Sequence, residues 1–465
     1  MKILYGLADG ALLPRDNENL CRCLFAAECI GELKVSIGRI AVCDKNEAGE
    51  QQYLLTDIPA GGPYSITLSD DTDKLELQIW VGDLWLMAGQ SNMEGAGRST
   101  EEDLAYKKTP NPAVRAYYLD NRWDACMPLN HEPWISVDDC QRVVWKSEQL
   151  ASIWRSDKSV MESHGTPERG VGPALFFGLR MYEITGVPQG VIPCAKGATS
   201  LAQWQPGQPL YEAMLRRFVR TGSLVRGVFW YQGESDTSEA GIAAFDDKMR
   251  ALVEGIRRDT GIADLPFVQT QLSTTHIPGI NDSADAGKGW EGIREKQRLL
   301  DAKIPHLATV SAIDCALDDL IHLSSNGQKK VGHRGADAMA NLCGFGGAAV
   351  PKLLGFKIIA DPYRPFWSAL EIYYEDAGAL LCNTPITGFS VTDDAELSLV
   401  NPATGIATYA TEPNKVTLYM EVDQETLLQQ YIRYGYSSWY CGFITTQTGH
   451  ALPAFGPLKI SEHLL

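Results

Sequence analysis

The chain has no CxxC pair, no HExxH, no excess of basic residues and no apolar run long enough to cross a bilayer. Each absence closes a class of function. Without clustered metal-ligating side chains the sequence offers no zinc motif, and neither a metal nor an organic cofactor is expected. Lys and Arg number 41 against 58 Asp and Glu, and the net charge of −17 repels phosphate backbones and anionic lipid. Nucleic acid and membrane surfaces are therefore poor partners, and a neutral or weakly charged small molecule is a better one. The 11 cysteines are odd in number and scattered, with Cys21, Cys23 and Cys29 as the one cluster, which suits reduced thiols better than a disulfide framework. The opening ILYGLADGALLPRD is interrupted by Gly6, Asp9 and Gly10 and has no small-residue cleavage site, so a cytoplasmic location is expected unless a leader was removed.

What is present is an ordinary globular composition, 45% hydrophobic and 21% charged, in a chain of 465 residues, enough for two or three domains. Residues 1–80 read as a β-rich domain, because segments such as Leu33-Val35-Ile37 and Leu75-Leu77-Ile79 alternate apolar with polar positions. From 81 to 345 short apolar runs alternate with amphipathic helical stretches, the pattern of a parallel sheet wrapped by helices. The expected strands are 84–88, 190–195, 227–232, 266–272 and 307–313, a five-stranded parallel sheet. Phe245, Met249, Leu252 and Ile256 mark one helix ending before Gly261. Ser325-x-x-Gln328 looks like a capping box opening a last helix that runs to about Cys343. The stretch Ser99–Arg169, with weak periodicity, reads as an insertion over the top of the sheet. Residues 346–465 return to β-rich, sandwich-like patterning.

In an open α/β sheet ligands bind at the carboxyl ends of the strands. Ser91 follows the first strand in LWLMA-GQSNMEG, where Gly89 permits a tight turn and the next helix aims its N-terminus at the serine. By itself that pattern is as well explained by a plain helix start. After the last strand comes DCALDDLIHLSSNGQ, in which Asp319 precedes His322 by three residues in a loop. A serine hydroxyl needs a base within reach, and the base needs an acceptor to hold its tautomer. Asp314 and Asp318 lie nearby without that spacing, and His333 falls inside the last helix. The second strand ends in CAKGATSLAQW, whose Gly197 can bring its N–H close to a ligand, and the third in WYQGESD, whose Gln232 amide can donate to an oxyanion.

Taken together, GQSNM, the Gly197 loop, WYQGESD and D-x-I-H-L resemble the SGNH hydrolase superfamily, specifically its sialate O-acetylesterase and carbohydrate acetylesterase branch. The likeness extends to VGDLWLMAGQSNM, RWDACMPLNHEPW, GVGPALFFGLRM and the closing stretch from ITGFSV to HALPAFGP. It implies a flavodoxin-like α/β core, a Ser91-His322-Asp319 triad, and an oxyanion hole made by Ser91 N–H, Gly197 N–H and the Gln232 side chain. The implied substrate is an acetylated carbohydrate, either a sialic acid or a plant oligosaccharide such as a xylo-oligosaccharide. Gln90, Glu234, Trp123 and Trp204 are the expected substrate contacts, with Trp134 and Trp290 as further aromatic candidates and Asp236 and Arg169 as pocket-shaping ones. Two other readings compete: a carbohydrate-binding protein with an inactive core, and a lipase-like esterase for longer acyl chains.

Overall fold

The computed structural model describes residues 1–142, 169–276, 286–361, 364, 366–382, 388–395, 405–435 and 444–465. The chain divides into two compact units, Met1–Gln232 with Lys248–Phe267, and Gly233–Asp247 with Val268–Leu465.

The first unit is organised by β1, Lys74–Gly89, a strand of 16 residues. Its first half alternates exposed and buried positions and pairs antiparallel with Gly61–Ser69. From Ile79 every residue is buried, because the strand now has neighbours on both edges and cover on both faces. The strand runs unbroken through Trp80 and Val81, where the change of period is seen in the sequence. After α1, Ser91–Glu94, come β2, Val114–Tyr117, and β3, Trp123–Ala125. Helix α2, Ala174–Thr185, ends on Gly186 in the left-handed conformation (φ 68°) and leads into β4, Gln189–Pro193. Helix α3, Pro209–Arg220, starts on a proline and buries Leu210, Tyr211, Met214 and Phe218 along one stripe. It is followed by β5, Gly227–Tyr231, whose Val228, Phe229, Trp230 and Tyr231 are fully buried, the Val228 and Phe229 side chains each stabilising by about 1.5–3 kcal/mol.

The order in this unit is β3-β2-β4-β1-β5. β2, β4, β1 and β5 run parallel, and β3 pairs antiparallel with β2. Two expectations are corrected here. The sheet is mixed, not all-parallel, and it takes in strands the sequence reading did not expect, β2, β3, Leu12–Pro14 and Gly61–Ser69. The described part of Ser99–Arg169 does not simply lie over the sheet, since it supplies β2 and β3; residues 143–168 of that stretch lie outside the described residues. Toward the N-terminus a separate four-stranded sheet pairs Lys2–Tyr5, Leu20–Glu28, Gln51–Pro59 and Arg39–Lys45 in that order.

Helix α4, Glu239–Thr260, buries Phe245, Met249, Leu252 and Ile256 as expected, and Gly261 just past it has φ 72°. In the second unit β6, Phe267–Gln271, neighbours β7, Leu307–Ser311, with α5, Ala286–Leu299, between them in sequence and α6, Ser325–Leu342, after. Helix α6 is capped one residue earlier than expected: Ser324 Oγ accepts from Gly327 N–H at 3.2 Å, so Ser325 is the first helical residue. Beyond it, strands Lys352–Ala360, Ser368–Glu375, Lys415–Met420 and Ile406–Glu412 form one sheet, and Phe389–Thr392, Tyr431–Tyr434 and Phe455–Lys459 another. Both contribute to a common core that includes Phe356, Leu370, Leu418, Ile432 and Phe455.

Candidate active site

Ser91 stands where β1 ends. Gly89 takes φ 135°, and a Cβ there would fall 2.1 Å from the Tyr231 carbonyl oxygen, so β1 and β5 can approach this closely only with glycine. Gln90 N–H donates to that same carbonyl at 2.8 Å, and the Gln90 carbonyl accepts from Met93 N–H and Glu94 N–H, both at 2.9 Å. The turn is thereby closed, with Ser91 as the first residue of α1. Gln90 itself is buried and acts as the helix N-cap through its main chain.

The exit of β4 is fastened to the same turn. Cys194 N–H donates to Met87 O at 2.8 Å and Lys196 N–H to Gly89 O at 2.9 Å, which carries the ladder up to the residue before Gln90. Gly197 then lies beside the serine: a Cβ on Gly197 would sit 3.6 Å from Ser91 Cβ. Its N–H donates at 2.7 Å to Glu94 Oε2, a carboxylate from the helix that Ser91 opens. Ala198 follows at φ 58°, an unusual conformation for a residue with a Cβ, of the kind often found at functional turns. Thr199 anchors the loop from below. Its hydroxyl donates to Lys196 O at 2.7 Å and accepts from Trp204 Nε1 at 3.0 Å, while its carbonyl accepts from Gln232 Nε2 at 3.1 Å.

A second layer of support comes from residues that sequence reasoning passed over. His131 is fully buried; burial and then the nearby Arg217 guanidinium depress its pKa to about 3. Its Nε2 accepts from Ala195 N–H at 3.1 Å, so the ring is neutral and Nδ1 carries the proton, donating to Asn130 Oδ1 at 3.1 Å. Gln141 Nε2 donates to Cys194 O at 2.6 Å, and Lys196 Nζ donates to Gln141 O at 2.9 Å. Segment 130–141 thus grips residues 194–196 on both sides of their backbone. The one hint of this in the sequence is a histidine set in the largely apolar run MPLNHEPW.

In the second unit the loop after β7 folds back on itself. Ser324 N–H donates to Ala316 O and Asp318 N–H to His322 O, each at 2.9 Å. Asp319 Oδ1 accepts from Ile321 N–H at 2.9 Å and His322 N–H at 2.8 Å, and Oδ2 accepts from His322 Nδ1 at 2.8 Å. The carboxylate therefore fixes both the main chain and the ring. With side chains 28% and 23% exposed, Asp319 and His322 are held yet reachable. The loop tip is tied to the exit of β6, because Thr275 Oγ1 at 3.0 Å and His276 N–H at 2.6 Å donate to Leu320 O. Asp314, the alternative carboxylate, is committed elsewhere: Arg334 grips it through Nη1 at 2.5 Å and Nη2 at 2.8 Å. Burial would raise its pKa, but Arg334 and Lys330 hold it down at about 2.

Residues 81–341 match the family described as carbohydrate esterase, sialic acid-specific acetylesterase. The chain belongs to that family. A probable carbohydrate esterase of Arabidopsis thaliana is 27% identical over 60% of this chain and 98% of its own length. The human sialate O-acetylesterase is 22% identical over 56% of this chain, and the match spans 54% of that relative. Among solved structures, a carbohydrate acetylesterase from Xanthomonas citri has the same fold, with a TM-score of 0.70 at 20% identity over 98% of this chain and 99% of its own. The protein is accordingly a carboxylic ester hydrolase for acetylated carbohydrate.

For an esterase of this family the aromatic residues expected at the substrate divide sharply. Trp204 is fully buried, edge-on to Trp230 at 5.3 Å, and serves the Thr199 loop, so it offers no face to a sugar. Trp290 is likewise core, with Nε1 donating to Ser273 O at 2.7 Å. Trp134 is 42% exposed in the turn Pro133–Ile135. Trp123 is 8% exposed on β3 and lines a cavity. Glu234 and Asp236 are buried in a short turn after Gly233, and the side chain of Arg169 lies outside the described residues.

Proposed function

We propose that the protein removes O-acetyl groups from oligosaccharides through a Ser91 acyl-enzyme, with His322 as general base and Asp319 as the carboxylate that orients it. The observation that carries this reading is the Asp319 to His322 Nδ1 hydrogen bond of 2.8 Å in a loop whose main chain the same carboxylate organises. An imidazole whose Nδ1 proton is held in this way presents Nε2 as its basic nitrogen, the atom a serine hydroxyl requires.

In the first half-reaction Ser91 Oγ adds to the acetyl carbonyl carbon while its proton passes to His322 Nε2. Negative charge develops on the carbonyl oxygen, and Gly197 N–H, Ser91 N–H and the Gln232 amide are the donors assigned to it. That the Glu94 carboxylate accepts from Gly197 N–H at 2.7 Å supports this assignment, since an anionic oxygen is already received there. Glu94 gives way when the ester oxygen arrives. The tetrahedral adduct collapses as His322 returns the proton to the departing sugar oxygen, and water, activated by the same ring, then releases acetate.

The test has two arms. Ser91→Ala and His322→Ala are expected to lower acetyl-ester hydrolysis by three orders of magnitude or more, and an active-site fluorophosphonate is expected to label Ser91 in the parent protein, with the adduct located by mass spectrometry. Near-parent turnover in Ser91→Ala, or labelling at another residue, overturns the assignment. Comparing acetyl with butyryl and octanoyl aryl esters in the same assay separates an acetylesterase from an enzyme for long acyl chains, whose rate would rise with chain length.

A further inference from the structure

We propose that the cleft beside β3 is a distal subsite for the uncharged sugar units of the acetylated oligosaccharide, an inference that rests on the reading of Ser91 above for its location but not for its test. The cleft encloses about 370 Å³, within the size range of small-molecule sites, and Ser91 is not among its walls.

Position is the first argument. Ala116 of β2 lies level with Val191 of β4, and Val191 with Trp85 of β1. Counting forward, β2 releases its chain at Tyr118 on the same edge of the sheet where β1 releases Gly89 and Ser91. One strand, β4, lies between them, so β2 and β1 run about 10 Å apart, two inter-strand spacings, with Tyr118 level with Met87, four residues before Ser91. A linear saccharide acetylated at one unit and lying along this edge brings its neighbouring units to Tyr118 and Trp123.

Chemistry is the second. Trp123, Met127, Leu129 and Ile135 give the lining apolar surface that suits the C–H face of a sugar ring. The Tyr118 hydroxyl donates to Ala125 O at 2.8 Å and accepts from Met127 N–H at 3.2 Å, which fixes the Tyr118 ring within that lining. Around it stand Asp120, Asp124 and Glu132 against Lys107 and Arg122, an excess of one negative charge. Arg122 Nε is bound by Asp120 Oδ2 at 2.5 Å, so this cation faces a carboxylate of its own. Carboxylates accept hydrogen bonds from sugar hydroxyls and repel a carboxylate-bearing sugar, and the lining therefore selects neutral saccharide over sialic acid.

The same segment also serves the site of reaction. Met127, Leu129, Glu132 and Ile135 face the cleft, whereas His131 between them receives Ala195 N–H in the loop that carries Gly197. A saccharide that tightens the cleft wall also steadies that loop, so part of its binding energy is expected in kcat.

The protein is titrated calorimetrically with deacetylated tetrasaccharides of xylose, mannose and glucose and with sialyllactose, none of which carries an O-acetyl ester to be cleaved. At least one neutral tetrasaccharide is expected to bind, at least tenfold tighter than sialyllactose, and the added pair Asp124→Ala and Glu132→Ala is expected to weaken it fivefold or more with an unchanged melting temperature. The proposal is overturned if no neutral tetrasaccharide binds, if sialyllactose binds as well, or if the paired substitution leaves affinity unchanged. Because binding is read without turnover, failure here leaves the assignment of Ser91 standing, and failure of that assignment leaves this titration interpretable.

Discussion

At the scale of single residues the candidate site is backed by buried side chains that hold its loops. His131 is the clearest, a neutral ring whose Nε2 receives the backbone N–H of Ala195, two residues before Gly197. His131→Leu removes the acceptor and leaves that N–H buried and unsatisfied, at a cost of about 1–3 kcal/mol. The loop then loses its set position, and because a displacement of about 1 Å can lower rate 100-fold, kcat is expected to fall 10- to 100-fold with little change in KM. His131→Gln restores an acceptor near the Nε2 position and is expected to recover most of kcat, an outcome that a purely space-filling role would not produce. The sign of the pH effect follows from a pKa depressed to about 3. Below the ordinary histidine value of 6.5 the unfolded chain takes up the proton first, so this residue weakens the fold progressively from pH 6.5 down to about 3. His131→Gln should flatten that part of the stability profile, which denaturant melts across pH 7 to 3.5 can measure.

Elements were legible where their burial leaves a mark on local sequence. β5 is a run of apolar residues because both its faces are covered, and α4 shows its stripe because one face is. β2 left no such mark: Val-Arg-Ala-Tyr is four residues long with an arginine inside it, and Arg115 is tolerated there because it stacks 4.1 Å from the Trp80 ring and donates from Nε to Gly10 O at 2.6 Å. Those partners are distant in sequence, so no window could show them. The shift from alternation to continuity near Trp80 is real, but it records one strand passing from one-sided to two-sided cover. The candidate site divides along the same line. Asp319 and His322 are three residues apart and announce themselves, whereas Glu94, His131 and Gln141 reach the Gly197 loop only through the fold. Beneath the Asp319 loop, Asp314 and Arg334 tie its start to α6. Asp314→Asn leaves the Arg334 cation buried with half its pairing lost, and a destabilisation of about 3 kcal/mol at neutral pH is expected by chemical denaturation. Since the folded-state pKa is held near 2 against an ordinary 3.8, the contribution is complete above 3.8 and disappears as pH falls through 2, so the difference between variant and parent should close over that interval.

For the whole molecule the dominant physical fact is the charge of −17 on 465 residues. A field of that sign slows the approach of an anionic substrate and leaves a neutral one unaffected, and added salt removes the difference because charges are screened beyond about 10 Å at 0.1 M. Ionic strength therefore reports which acetylated sugar the enzyme meets productively. For an O-acetylated neutral oligosaccharide, kcat/KM is expected to stay within about 1.5-fold between 10 and 300 mM NaCl. For an O-acetylated sialic acid it should start lower and rise on the order of threefold over the same range, as repulsion of its carboxylate is screened. The fold cannot decide this alone, because one relative is named only as a probable carbohydrate esterase and another as a sialate O-acetylesterase. Charge can, since it acts before any contact is made. A sialic acid ester hydrolysed faster than the neutral ester at 10 mM NaCl, with a rate that falls as salt is added, would mean that local cations at the site outweigh the global field, and the preference for neutral saccharide would have to be abandoned.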